Sequence, residues 1–341
     1  EEKKEKKEAD EDIKVDKVVE KRQPSLRRRK KTIADFGYHF KDGKLRTIEG
    51  DGPFKFTTQK AYEELGDVIG EHVYDLMEEM GLERRYIDVG RNRRFFFTSP
   101  DYEEKERILV LIHGSGVVKA GQWARKLIIN ESLSRGTQLD YIKRGLDNGW
   151  GIVVLNYNEK CVGQVDRCHS PDAHGLTEWK HAFLDVPAEA DVVVVAHSYG
   201  GSVISEVVKR LHRAGDERVL CVALTDSWFS EGDDVFAVNW NTRKKALYMS
   251  GGTWQMYSGD STHEGTSSAC IDSCFNILEN VSVETTGRQF KELLEESERI
   301  IVEQHNERMR KKREENGDTA SAKSLELEGG DGKRSEVKKR E

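Results

Sequence analysis

No apolar run in this chain of 341 residues approaches the roughly 18–20 residues that a membrane-spanning helix needs. An excess of positive charge is also missing. Sixty-two acidic residues against 55 basic ones give a net charge of −7, which argues against a wholly basic nucleic-acid binder, local patches aside. No recognisable RNA-binding motif is present. The five cysteines, Cys161, Cys168, Cys221, Cys270 and Cys274, are odd in number, and Cys221 falls in an expected buried strand. That fits a reducing, intracellular setting better than a secreted disulfide scaffold. Cys270 and Cys274 are one helical turn apart and Cys168 precedes His169, but no C-x-x-C pair of the common zinc sites occurs. The sequence calls for no metal and no cofactor. It does not begin with Met, so the lack of a targeting signal at its start carries little weight.

Hydrophobic residues are only 36% of the chain and charged ones 34%, a polar balance for a globular protein. The excess charge is concentrated in residues 1–33 and from about 303 onward. The middle has the composition of a packed core, large enough for one α/β domain. The expected organisation is a charged disordered tail over 1–33, a folded domain over 34–285, a charged helix over 286–315 and a disordered tail over 316–341. The basic run Arg27–Lys31 reads equally as a nuclear-localisation or nucleic-acid patch and as a solvated linker, and Arg308–Arg313 form a second candidate targeting patch.

The segment from Asp191 to Ser205 carries the chemistry. Val192–Val195 read as a strand buried on both faces, followed by Ala196-His197-Ser198-Tyr199-Gly200. Val203, Val207, Val208 and Leu211 then share one helical face. Strand, tight turn with a central Ser, helix is the context of a nucleophile elbow, in which strand and helix backbones nearly touch. Small residues are needed on either side of the Ser, and Ala196 and Gly200 supply them.

Upstream, the apolar strand Arg107–Ile112 runs into His113-Gly114-Ser115-Gly116. In α/β-hydrolases the oxyanion hole takes one N–H after the nucleophile and one from the loop after an earlier strand. Here those donors are Tyr199 N–H and a backbone N–H at Gly116 or Val117. Such donors are each worth about 3–4 kcal/mol of barrier. A serine nucleophile also needs a base and an acid, in the chain order Ser, acid, His. Of the histidines after Ser198, His212 lies on the elbow's own helix and His305 in the charged C-terminal helix. His263, in a polar loop, is left as base. Asp226, at the end of the strand after the elbow unit, is the first candidate acid. Asp260, in the His263 loop, is the second, with Asp233 and Asp234 behind it. His113, Ser198 and Asp226 all fall at carboxyl ends of strands, where ligands sit in parallel α/β sheets.

Along the chain, Asp42-Gly43 predicts a hairpin turn, and Phe54 and Phe56 alternate as in a strand. Tyr62, Leu65, Ile69, Val73, Leu76 and Met80 predict a helix over 59–80, with Gly81 as its stop. Further strands are expected at Phe95–Phe97, 151–156, 219–226 and near 246–250, and helices at 123–130, 141–148, 178–190 (interrupted by Pro187), 271–278 and 287–315. Residues 157–175 read as an irregular loop. Trp228, Phe229 and Trp240 read either as an apolar pocket wall or as core. The alternation of strands and helices predicts a mainly parallel sheet with helices on both faces, an α/β-hydrolase-like fold.

The segment Leu109–Glu131, with its long Gly121-Gln-Trp-Ala-Arg-Lys-Leu-Ile-Ile-Asn block, resembles the Argonaute-binding (Arb-type) domain family. So do Phe36-Gly-Tyr, Gly43-Lys-Leu-Arg, Tyr62-Glu-Glu-Leu-Gly, Val195–Gly201, Ala223–Ser227 and His263-Glu264. The likeness covers about residues 34–280 and is greatest to the animal cotranscriptional-regulator branch. The long polar insertion of that branch, before the elbow, is missing. The resemblance implies an α/β-hydrolase-like domain with Ser198 as nucleophile. It also implies nuclear RNA-linked roles in silencing, chromatin or splicing, with Argonaute or splicing and chromatin proteins as partners. Two readings stand side by side: a protein-binding regulator, and an active serine hydrolase (esterase, thioesterase or amidase) on a substrate the sequence does not name.

Overall fold

A computed structural model describes residues 31–89, 92–159, 170–230 and 235–315, with Leu325 and Leu327. The basic run before Lys31, Cys161, Cys168, His169, Asp233, Asp234 and most of the last segment lie outside the described residues.

A small hairpin comes first, β1 (Tyr38–Lys41) and β2 (Lys44–Thr47). Its turn is formed by Asp42 and Gly43, with φ of 49° and 71°. Two positive φ values in a row are what a tight two-residue hairpin turn requires. Phe54 and Phe56 do not form a strand; Pro53 makes only an isolated bridge to Arg46. Helix α1 (Gln59–Glu79) follows, capped by the Thr58 side chain.

The main sheet has nine strands: β3 (Glu83–Val89), β4 (Asn92–Thr98), β5 (Arg107–Ile112), β6 (Gly151–Val154), β7 (Asp191–His197), β8 (Val219–Thr225), β9 (Phe236–Asn241), β10 (Tyr248–Ser250) and β11 (Thr253–Tyr257). Their order is β10-β11-β9-β8-β7-β5-β6-β4-β3, with a parallel centre from β11 to β6 and antiparallel pairs at both margins. This is the mainly parallel, α/β-hydrolase-like sheet expected.

Alternation along the strands divides the core in two. Leu109, Leu111, Val193, Val195, Val238 and Trp240 point to one face. There they meet α1, α4 (Leu139–Asp147), α8 (Ile271–Asn280) and α9 (Gly287–Glu315). Ile108, Val110, Val192, Val194 and Ala196 point to the other, against α5 (Pro171–Ala182) and α6 (Gly200–Arg213). Short helices α2 (Arg125–Asn130) and α3 (Leu133–Gly136) follow the His-Gly loop, and α7 (Thr266–Ala269) follows the His263 loop. In α9, Phe290, Leu294 and Ile301 are buried against the core, so its charge stays on the outer face.

The helix expected at 178–190 begins earlier and ends earlier. Ser170 caps it through Ala173 N–H and Pro171 occupies its first turn, a start signal that outweighs the polar look of the segment. Cys221, Cys270 and Cys274 are free and buried.

Candidate active site

The elbow is built by β7, Ser198-Tyr199 and α6. Ser198 has φ of 53°, a left-handed conformation that costs a non-glycine residue about 1–3 kcal/mol and persists only when its surroundings enforce it. They do so here. Ser198 N–H donates to Thr225 O at 3.1 Å, and Ser198 O accepts from Gly201 N–H and from the Ser227 hydroxyl. A Cβ at Gly200 would lie 2.7 Å from Ile112 O and 2.9 Å from His113 O, so the expected need for a small residue there is real. Gly201 is equally constrained, against Ser227 and Trp228 O, a point the sequence reading did not reach.

On the neighbouring strand end, Asp226 is also left-handed, with φ of 46°. Its N–H donates to Trp240 O at 2.7 Å. Its Oδ2 accepts from His263 Nδ1–H at 2.6 Å. That bond fixes the tautomer and leaves His263 Nε2 with its lone pair. It also holds the His263 imidazolium above the usual histidine range and Asp226 below the usual carboxylate range. His263 C=O accepts from the Thr266 hydroxyl at 2.9 Å, tying its loop to α7. Asp260, the second candidate acid, is bound to Arg135 instead, at 2.7 Å, and to Thr262. Burial works against its ionisation, yet the Arg135 bond keeps it below the usual range. Asp260 shapes the loop that carries His263.

His197 lies under His263, ring centroids 4.7 Å apart. Its Nδ1–H donates to Thr225 O at 2.9 Å, the carbonyl that also receives Ser198 N–H. Burial pushes its pKa down to about 4, so it is a neutral floor for the base. His113 is fully buried, stacked on Tyr157, and donates through Nδ1 to Gly114 O at 2.7 Å; burial takes it to about 4 as well. Both histidines are therefore neutral near pH 7 and tie their loops through Nδ1–H bonds to backbone carbonyls.

Gly114 sits against the nucleophile, and Ser115, Gly116 and Val117 are exposed beside it. Gly116 has φ of 95°. Among the described residues, the N–H groups of Tyr199, Gly116 and Val117 donate to no protein acceptor, which is what an oxyanion hole requires. Asn158 was not legible as a site residue. Its Nδ2 donates to Gly114 O and Val118 O, both at 2.9 Å, and so bridges the two ends of this loop.

A cleft of about 630 Å³ opens beside Ser198 and Asp226. Trp228, 56% exposed, and the buried Phe229 both line it, whereas Trp240 is core. No group of three or more potential metal ligands occurs among the described residues, and no described helix is long and apolar enough to cross a membrane.

An Arb2 domain model matches residues 30–164, and an alpha/beta hydrolase family model matches 109–270. A FAM172 family protein homolog of Caenorhabditis elegans is 37% identical over 301 residues, 81% of this chain and 94% of its own. The cotranscriptional regulator ARB2A of Mus musculus is 30% identical over 359 residues, 80% of this chain and 86% of its own. A homolog of that regulator from Xenopus tropicalis is 33% identical over 286 residues, 63% of this chain and 67% of its own. On the extent of these matches, and on a hydrolase-type sheet carrying Ser198 at its elbow, the chain belongs to the Arb2-domain family of cotranscriptional regulator ARB2A and its homologues.

Proposed function

We propose that the chain is a nuclear regulatory protein whose α/β-hydrolase domain carries a working acyl-transfer site, Ser198–His263–Asp226. The regulatory half rests on the names of the relatives and on the Gly121–Asn130 block. It takes Argonaute, splicing or chromatin proteins as partners in RNA-linked gene control. The chemical half rests above all on the 2.6 Å Asp226–His263 bond at the strand end beside a strained Ser198.

In this reading Ser198 Oγ attacks an ester, thioester or amide carbonyl while His263 Nε2 takes its proton. Tyr199 N–H and the Gly116 or Val117 N–H hold the oxyanion. Collapse of the adduct leaves an acyl ester on Ser198, and the leaving group departs with the proton from His263. Water, activated by the same imidazole, releases the acid. Asp226 keeps the ring oriented and offsets the imidazolium charge.

The test is labelling by a fluorophosphonate probe. Wild type is expected to label, and Ser198→Ala and His263→Ala to lose labelling while remaining folded. Folded wild type that does not label would overturn the chemical half. Ser198→Ala is expected to leave co-precipitation of Argonaute or splicing proteins intact, because partner binding uses surface rather than nucleophile.

A further inference from the structure

Beyond β8 the second face of the sheet changes character. Ala237 is apolar, but Asn239 and Asn241 follow it on the same side of β9, and Gln255 of β11 pairs with Asn239. Among the described residues, the β8–β9 connection carries no helix over them. Asn239, Asn241 and Gln255 line the cleft beside Ser198.

The orientation of these carboxamides is fixed by backbone at both ends. Ser227 N–H can only donate, so the Asn239 atom 3.1 Å from it is oxygen. Asn239 Nδ2 then donates to Ser227 O at 2.8 Å and to the side-chain oxygen of Gln255 at 3.0 Å. Arg243 N–H donates to Asn241 Oδ1 at 2.9 Å, so Asn241 Nδ2 donates to the same Gln255 oxygen, at 3.1 Å. With Oε1 doubly occupied, the Gln255 group left over is Nε2, and among the described residues neither of its hydrogens, nor the second hydrogen of Asn241 Nδ2, has a protein acceptor. The Arg243 guanidinium, exposed on the same wall, has no partner among the described residues. The Thr253 hydroxyl, in a residue 3% exposed that also lines the cleft, has no partner among the described residues. Among the described residues one carboxylate, Asp226, lines the cleft, and it is engaged by His263.

Among the described residues this wall of the cleft therefore offers unused amide and guanidinium donors, while its one carboxylate is already engaged. We propose that it binds the oxyanion end of an elongated acyl substrate, a terminal carboxylate or phosphate ester, whose carbonyl lies at Ser198. β7 and β11 are separated by three strand spacings of about 4.8 Å, so the two ends are roughly 14 Å apart. This rests on the hydrolytic reading of Ser198, and its test separates the two.

Three p-nitrophenyl esters of a dodecanoyl chain are compared on the full chain, ending in carboxylate, phosphate or neutral methyl ester. A kcat/KM at least tenfold higher for either anionic ester supports the proposal, and which of the two leads names the anion. Gln255→Glu keeps the doubly accepting oxygen but turns the free donor into an acceptor, and Arg243→Gln removes the cation. Each should cut the preference by tenfold or more, with a cooperative melt retained. Equal rates for the three esters would overturn it. If wild type neither labels nor turns over, dodecanedioate is titrated into Ser198→Ala with Trp fluorescence as the readout. Binding that Gln255→Glu abolishes upholds the anion site without the chemistry, and no binding refutes both.

Discussion

Gly114 packs so tightly on Ser198 that a Cβ added to it would lie 3.2 Å from the Ser198 Cβ. Its φ lies outside the left-handed region, so Ala is tolerated by the backbone there and only the nucleophile is in the way. Gly114→Ala is expected to slow fluorophosphonate labelling by up to about 10²-fold, the effect of a small misplacement of a reacting group, with little loss of stability. Labelling rate and melting temperature, measured side by side, check this.

The Asp226–His263 bond sets the pH dependence. Only neutral His263 accepts the Ser198 proton, and its pKa is raised above 6.5 chiefly by that bond. Labelling should therefore fall as pH drops through a midpoint above 6.5. Asp226→Asn should move the midpoint down and lower the plateau steeply, by about 10⁴-fold if it behaves as the acid does in serine proteases. The linked stability runs the other way: the raised pKa stabilises the fold fully below pH 6.5 and ceases to do so as pH rises through the folded value. A labelling-rate profile from pH 5 to pH 9, a range of about four units around the histidine pKa, reads the midpoint.

Asn158 acts through the oxyanion loop. Asn158→Ala removes both of its bonds, to Gly114 O and Val118 O, each worth about 1 kcal/mol. The expected result is a modest fall in melting temperature and roughly tenfold slower labelling, because donors must be preorganised to stabilise an oxyanion. A positioning role predicts that kcat falls while KM for a p-nitrophenyl ester stays near the wild-type value. A merely structural role would leave kcat unchanged in the folded fraction.

The parts of the site legible in the sequence are those fixed by local rules. Val192–Val195 with a Ser and Gly200 after them specify an elbow because only that turn brings strand and helix so close. His263 and Asp226 follow from chain order and strand ends. What escaped depends on long-range placement. Asn158 reads as a loop residue until β6 lies beside β5. Asn239, Asn241 and Gln255 read as polar strand positions, because nothing local shows that, among the described residues, no helix of the β8–β9 connection covers this face beyond β8. The start of α5 was legible in Ser170-Pro171, but its polar first turn concealed it. The 3.2 Å approach of Gly114 to Ser198 has no sequence signal beyond a glycine at the right strand end.

The most direct test of the account is peptide-resolved mass spectrometry after fluorophosphonate treatment of the full chain. A single adduct on Ser198, formed in wild type and absent in His263→Ala, is the predicted result. An unmodified Ser198 in folded protein, or an adduct that persists without His263, would contradict a working Ser198–His263–Asp226 site.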